Sequence, residues 1–142
     1  MFDVFNVSAS GMEAQRQRLN VIAGNLANAE TTRTAEGGAY RRRDIVFSAQ
    51  RGADFANHLR SSLAGHTTGV SVSGIVEDQR PLKYAYEPSH PDADDKGYVA
   101  YPNVNVSEEM VNMISASRSY EANVNAFKAA REMAQRAIEI GE

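Results

Sequence analysis

One histidine and three aspartates cluster in the segment His90-Pro-Asp-Ala-Asp-Asp-Lys-Gly97, which could bind a hard cation such as calcium. A calcium loop needs oxygen ligands at fixed spacings and a glycine at its sharp turn. A loop beginning at Asp92 would place Asp94 and the glycine correctly. However, Lys96 stands at a ligand position and Asn103 replaces the bidentate glutamate. The spacing therefore favours a solvated turn, and we expect no metal ion or other cofactor.

Catalytic motifs are equally poorly supported along the chain. The segment Gly69-Val-Ser-Val-Ser-Gly74 breaks the G-x-S-x-G spacing of a nucleophile elbow, and no glycine-rich phosphate loop occurs. Cysteine is absent, which excludes thiol catalysis, disulfides and zinc-thiolate sites. A metal-dependent hydrolase using His90 and the nearby aspartates remains an alternative that one bound metal per chain would identify. We expect a protein that is not an enzyme.

Charge also argues against several classes of partner. The net charge is −3, and the basic run Tyr40-Arg-Arg-Arg-Asp44 is too short for a nucleic-acid patch. We expect this run at a strand edge or in an ion pair between subunits. No stretch approaches the ~20 apolar residues that cross a bilayer. The N-terminus also lacks the features of a secretory signal. Nucleic acid, a membrane span and a small-molecule substrate are therefore not expected.

Residues 1–29 have the periodicity of an amphipathic helix. Apolar residues recur every seven positions, with one more on the same side: Phe5, Met12, Leu19, Leu26 and Ile22. A weaker second row consists of Val7, Ala14 and Val21, with Gly24 nearby. Ser10 and Glu13 form a capping-box pattern, which favours a rival helix start near residue 11.

Residues 104–140 carry the strongest pattern in the chain. Spacings of four and three define a seam: Val106, Met110, Met113, Ser117, Tyr120, Val124, Phe127, Arg131, Ala134 and Ile138, with Ile114 also expected to pack. Asn105 or Ser107 can cap this helix, and two glutamates complement its N-terminal dipole. Gly141 offers a stop.

A second row of mostly small residues follows the same helix: Asn112, Ala116, Ser119, Asn123, Ala126, Ala130, Met133 and Ala137. Small side chains let helices approach closely, so we expect this row to make lateral contacts. Two contact faces on each helix imply neighbours on two sides. The alternative is that alanine and asparagine simply form a solvated face.

Between the helices, short alternating stretches predict a β-rich insertion. Candidate strands lie at Val70–Ile75, with a bulge near Gly74, at Leu82–Tyr86 and at Gly97–Tyr101, while residues 48–66 look helical or irregular. We therefore predict a mainly α fold. Residues 1–30 and 104–142 form one coiled-coil domain, and residues 31–103 form a linker and a small β-rich lobe.

Two segments resemble a known family. Asn20-Val-Ile-Ala-Gly-Asn-Leu-Ala-Asn-Ala29 resembles the N-terminal signature of flagellar rod and hook proteins. Gly97-Tyr-Val-Ala-Tyr-Pro-Asn-Val-Asn-Val106 and the following Glu108–Asn123 look like the flagellar basal-body rod protein family, and within it the proximal-rod type. The motif residues are Asn20, Asn25, Leu26, Asn28, Pro102, Asn103, Asn105, Glu109 and Arg118. The segment Glu30–Tyr40 departs from the Thr-Pro-Gly-Tyr turn of the wider group.

The resemblance implies a structural subunit rather than a catalyst. It would polymerise through its terminal helices into the proximal rod, which transmits torque and surrounds the export channel. Its partners would be copies of itself, other proximal and distal rod proteins, and the flagellar export apparatus. Export would proceed without a cleavable signal, and the location would be the basal body in the periplasmic space. The rival is a soluble coiled-coil adaptor that binds a partner helix and forms a discrete oligomer.

Overall fold

The structure, a computed structural model, describes residues 2–49 and 69–140. Helix α1 spans Phe2–Ala27 and helix α2 spans Val106–Ile140. Between them, the described residues form four strands: β1 at Arg43–Ala49, β2 at Val70–Glu77, β3 at Lys83–Tyr86 and β4 at Tyr98–Tyr101. The two predicted terminal helices and small antiparallel strands between them are confirmed, and roughly half of the chain is helical. Most of the segment 48–66 and the predicted stop at Gly141 lie outside the described residues.

Helix α1 starts at Phe2, so the rival start near residue 11 is wrong. Ser10 does not cap a helix, because its hydroxyl donates to the carbonyl of Val7 at 2.8 Å and accepts from the backbone N–H of Val70 at 3.1 Å. Glu13 is held by Arg16 and Gln17 on the same helix. Both polar residues are thus satisfied without interrupting the helix.

Helix α2 begins two residues later than predicted, since Asn105 is its N-cap. The Asn105 side-chain oxygen accepts from the backbone N–H of Ser107 at 3.1 Å. With 35 residues the helix is about 52 Å long. Within the described residues, no helix is both long and apolar enough to cross a membrane.

The four strands form two separate antiparallel hairpins, β1–β2 and β3–β4. In the first, Val46 pairs with Gly74 and Phe47 pairs with Val72, which leaves Ser73 as an extra residue in β2. The predicted bulge is therefore present, one residue before Gly74. The first hairpin packs against α1.

The buried core of the described residues is small. Its apolar members are Ala14, Ile22, Ile45, Val99, Val104, Ala116 and Ala130. Ser8, Asn25, Arg42, Asn103 and Glu109 are buried as well. Three of the apolar residues are alanines, which bury little area, so polar contacts carry an unusual share of the interior.

Candidate functional site

Glu109, in the first turn of α2, has a side chain with no solvent exposure. Its Oε1 accepts a hydrogen bond from Nε of Arg42 at 2.8 Å, and the Arg42 side chain is only 9% exposed. Arg42 immediately precedes β1, and its Nη1 also lies 3.0 Å from Asp44 and 3.6 Å from Asp78. The first turn of α2 is thus joined to the start of β1 by a buried ion pair.

Asn25, near the end of α1, joins the same cluster. Its amide nitrogen donates to Oε2 of Glu109 at 2.9 Å and to the backbone carbonyl of Arg43 at 2.8 Å. Its amide oxygen accepts from the backbone N–H of Arg43 at 2.9 Å and from the hydroxyl of Tyr40 at 3.0 Å. The Asn25 side chain therefore pairs with β1 as a neighbouring strand would.

Asn103 completes the cluster from the loop between β4 and α2. Its amide oxygen accepts from the backbone N–H of Arg42 at 2.8 Å. Its amide nitrogen donates to the carbonyls of Asp78 and Arg80 at 3.2 and 3.1 Å. We call Asn25, Arg42, Asn103 and Glu109 the polar node. It connects both helices, the first hairpin and the loop that enters α2.

The electrostatics of the polar node are those of a structural joint. Burial alone would lower the pKa of Arg42, but hydrogen bonds to Asp44 and Glu109 outweigh it and raise that pKa. Hydrogen bonds from the side chain and backbone of Arg80 lower the pKa of the Asp78 carboxyl. Both oxygens of Glu109 accept hydrogen bonds, so the node holds the two helices and the start of β1 together.

The seam between the helices runs away from the node, with the helices antiparallel. The rings of Phe5 and Phe127 meet edge to face, 5.1 Å between centroids. A Cβ added to Gly11 would lie 2.8 Å from Nδ2 of Asn123, so the helices approach closely there. The Gln15 side-chain oxygen is buried without a hydrogen-bond partner among the described residues. The two helices therefore approach each other closely along the seam, which also contains polar side chains.

The predicted packing residues differ in burial within the single chain. Ile22 is buried, and eight are half-buried: Phe5, Met12, Leu19, Leu26, Met113, Val124, Phe127 and Ala134. Four are exposed: Met110, Ile114, Tyr120 and Ile138. In the predicted lateral row, Ala116 and Ala130 are buried, Asn112, Ser119 and Asn123 are half-buried, and Ala126 is exposed. Helix α1 packs along the border between the two predicted rows and takes residues from each.

Three exposed apolar residues near the start of α2 form a face turned away from α1. Met110, Val111 and Ile114 are 55%, 66% and 54% exposed and lie within two turns. Met133 and Ile138 are exposed nearer the other end. Clusters of exposed large apolar side chains are typical of interaction surfaces.

Three of the nine family-motif residues form part of the polar node. Asn25, Asn103 and Glu109 belong to it, and the adjoining Pro102 is fully buried. Asn105 caps α2, Asn28 bonds the carbonyl of Gly24, Leu26 is half-buried, and Asn20 and Arg118 are exposed. Arg42 is the residue that sequence reasoning missed. Its run was expected at a strand edge or in an ion pair between subunits. The run does lie at the start of β1, but Arg42 forms its ion pairs inside the chain.

The His90 segment is a hydrogen-bonded turn. Asp92 accepts from the hydroxyl of Thr32 at 2.8 Å, and Asp94 accepts from the backbone N–H groups of Lys96 and Tyr98. Gly97 adopts a positive φ of 78° that other residues rarely take. The described ranges contain no group of three or more histidine or carboxylate side chains placed to hold a metal.

Comparison with known proteins agrees with this architecture. A family model described as "Flagella basal body rod protein" matches residues 5–33, and "Flagellar basal body rod FlgEFG protein C-terminal" matches residues 95–140. The "Flagellar basal-body rod protein FlgC" of Borreliella burgdorferi is 43% identical over 150 residues, 99% of this chain and 97% of that protein. Proteins of the same name are 43% identical in Bacillus subtilis over 148 residues (99% and 98% covered) and 41% identical in Escherichia coli O6:H1 over 142 residues (100% and 98% covered).

Two terminal helices that both match rod-protein models, separated by β hairpins, define a flagellar rod protein, a structural class rather than an enzymatic one. Since the identity extends along the whole chain, the protein belongs to the FlgC family of flagellar basal-body rod proteins. It is a structural subunit of the basal-body rod, and its relatives are named as rod proteins and not as enzymes.

Proposed function

We propose that this subunit polymerises through α1 and α2 to build the proximal rod, with the two helices paired as a coiled coil. Residues 1–30 and 104–142 form the inner-tube domain, and residues 31–103 form a linker and a lobe outside it. The rod surrounds the export channel and transmits torque. Neighbouring copies and other proximal and distal rod proteins cover the faces that a single chain leaves exposed.

The exposed face formed by Met110, Val111 and Ile114 is the observation that carries this proposal. Burying one such side chain stabilises an assembly by about 1.5–3 kcal/mol. The same face recurs on every copy, so the contribution is repeated at each subunit. The predicted packing residues that are half-buried in the single chain stabilise the contact between α1 and α2, and their exposed parts are available for contacts with neighbouring subunits.

The small core supports an export route through the flagellar export apparatus in an unfolded form, followed by assembly in the periplasmic space. Three of the seven buried apolar residues are alanines, which bury little area, and the Gln15 side-chain oxygen is buried without a hydrogen-bond partner among the described residues. An unsatisfied buried polar group costs about 1–3 kcal/mol. Such a subunit unfolds easily for transport and regains order when neighbours cover its helices.

Ile114→Asp tests the assembly face directly. The residue is exposed in the single chain, so the variant should fold, express and be exported as the unmodified chain is. A charge buried at a subunit contact should nevertheless abolish rod assembly and motility. Asn125→Asp adds the same charge at an exposed polar position of α2 and serves as the matched control.

The two variants are compared by circular dichroism, by the yield of purified basal bodies and by swimming. Normal rods in Ile114→Asp would contradict the proposal. Loss of assembly in both variants alike would show that the charge and not the position is responsible. A discrete soluble oligomer of fixed size, in place of open-ended polymers, would favour the adaptor alternative.

A further inference from the structure

The seam between α1 and α2 repeats every seven residues on both helices. On α2 the row facing α1 is Glu109, Ala116, Asn123 and Ala130, all buried or half-buried. On α1 the corresponding row is Ser8, Gln15 and Ile22. Because the two periods are equal, sliding one helix along the other by seven residues, about 10 Å, brings equivalent positions face to face again.

Gly11 shows how weakly the seam distinguishes these alignments. In the observed register its hydrogen-only side chain faces the amide of Asn123. A slide of seven residues would bring Ala116 or Ala130 to the same place, and a methyl group fits against glycine at least as well as an amide does. The Phe5–Phe127 contact favours the observed register, but it is a single neutral contact between half-buried rings.

Asn25 removes this ambiguity. Its amide contacts Glu109 on α2 and both backbone groups of Arg43 at the start of β1. Sliding α1 by seven residues would break all three contacts together. The carboxylate of Glu109, which has no access to water, would then lose the hydrogen bond from the Asn25 amide. A polar group satisfied in one alignment only is a recognised means of fixing helix register.

We infer that Asn25 sets the axial register of α1 against α2, excluding alignments shifted by seven residues that the seam alone would accept. The register in turn sets how far α2 extends beyond the start of α1. Each such shift would change that extension by about 10 Å, and with it the surface offered to neighbours. The inference concerns the single chain and stands independently of the proposed mode of assembly.

Disulfide cross-linking in dilute solution tests the register, because the chain contains no cysteine of its own. The observed register is reported by Gly11→Cys with Asn123→Cys. The shifted register is reported by Gly11→Cys with Ala130→Cys, in a chain that also carries Asn123→Ala so that the new side chain meets no amide. Each pair is combined with Asn25→Ala, and with Asn20→Ala as the exposed control on the same helix.

In the chains with Asn25 intact, and in the Asn20→Ala control, the observed-register disulfide should dominate. In Asn25→Ala the ratio of observed to shifted disulfide should fall by about tenfold, the change expected when one satisfied buried polar group is lost. An unchanged ratio would overturn the inference.

Two further measurements distinguish a register shift from unfolding of Asn25→Ala. They are the milder variant Asn25→Ser and far-ultraviolet circular dichroism of every chain. If helix content is retained while neither disulfide forms, α1 detaches instead of sliding, and the inference is also overturned. A falling ratio in Asn25→Ser with helix content retained would support it even if the alanine variant unfolds.

Discussion

Where α1 ends and α2 begins, charged and amide groups lie buried and bond one another, whereas toward the other end of α2 apolar side chains face solvent. At the first end, Asn25, Arg42, Asn103 and Glu109 satisfy each other within the chain. At the second, α2 continues about two turns past the start of α1, and Met133 and Ile138 are exposed. The polar groups of the first region are satisfied within the chain, whereas the exposed apolar residues of α2, which include Met110, Val111 and Ile114 beside the node, need neighbours.

This difference suggests a division of labour within a rod subunit. A polar joint gives direction and register, because hydrogen bonds and ion pairs demand particular partners. Apolar faces give cohesion that tolerates different neighbours, because burial of apolar area is non-directional. The variants below, taken from the largest expected effect to the smallest, test the joint and the seam separately.

Glu109→Ala should have the largest effect, since it leaves Arg42 buried without its partner. Removing one member of a buried ion pair costs about 3–5 kcal/mol, and we expect the free energy of unfolding in urea to fall by that amount. Glu108→Ala, at the exposed neighbouring position, should change it by less than about 0.5 kcal/mol. Equal effects of the two substitutions would contradict a buried joint.

Gly11→Val should destabilise the helix seam by about 1–3 kcal/mol through overpacking. The added side chain would collide with Asn123, which lies 2.8 Å from the position of a Cβ. Gly24 is the matched control, because a Cβ there would meet nothing within 4 Å in the chain. Gly24→Val should therefore leave stability unchanged or raise it slightly.

Asn123→Ala should rescue most of the loss in Gly11→Val, since it removes the atoms that collide. Thermal melting of the single and double variants measures this coupling. Full destabilisation in the double variant would show that Gly11 is needed for a reason other than close approach to α2.

Lowering the pH should destabilise the contacts of Asp78 next to the polar node, and we expect this effect on the free energy of unfolding to be the smallest. The pKa of Asp78 is lowered in the folded chain by hydrogen bonds from Arg80. Its contribution to stability is therefore present above the unfolded pKa of 3.8 and is lost as the pH falls through the lower folded value. Unfolding free energies measured across this window should depend less on pH in Asp78→Asn than in Asp95→Asn, an exposed turn control with the same change in charge.

Sequence periodicity predicted the two helices and the strands β2, β3 and β4, because both patterns are local, but β1 at Arg43–Ala49 was not among the candidate strands. Helix α2 differs from its predicted start by two residues, since Asn105 is the cap and Val104 is buried before it. The bulge in β2 lies one residue from its predicted position. These small differences arise from particular hydrogen bonds, which periodicity does not encode.

The polar node could not be predicted in the same way. Arg42 and Glu109 are 67 positions apart, and nothing local distinguishes Glu109 from the exposed Glu108 beside it. The sequence also did not show which side of α2 faces α1, because its two predicted rows adjoin each other on the helix surface. Small residues such as Ala116 let α1 settle on their shared border, which composition alone does not reveal.

Amide hydrogen exchange on the dilute monomer, repeated on assembled rods, tests the central contrast most directly. We predict measurable protection around Glu109, progressively faster exchange along α2 toward Ile138, and strong protection of the whole helix after assembly. Strong and uniform protection across residues 107–138 in the monomer would contradict the account, because the chain would then complete both ends of its helix pair without neighbours.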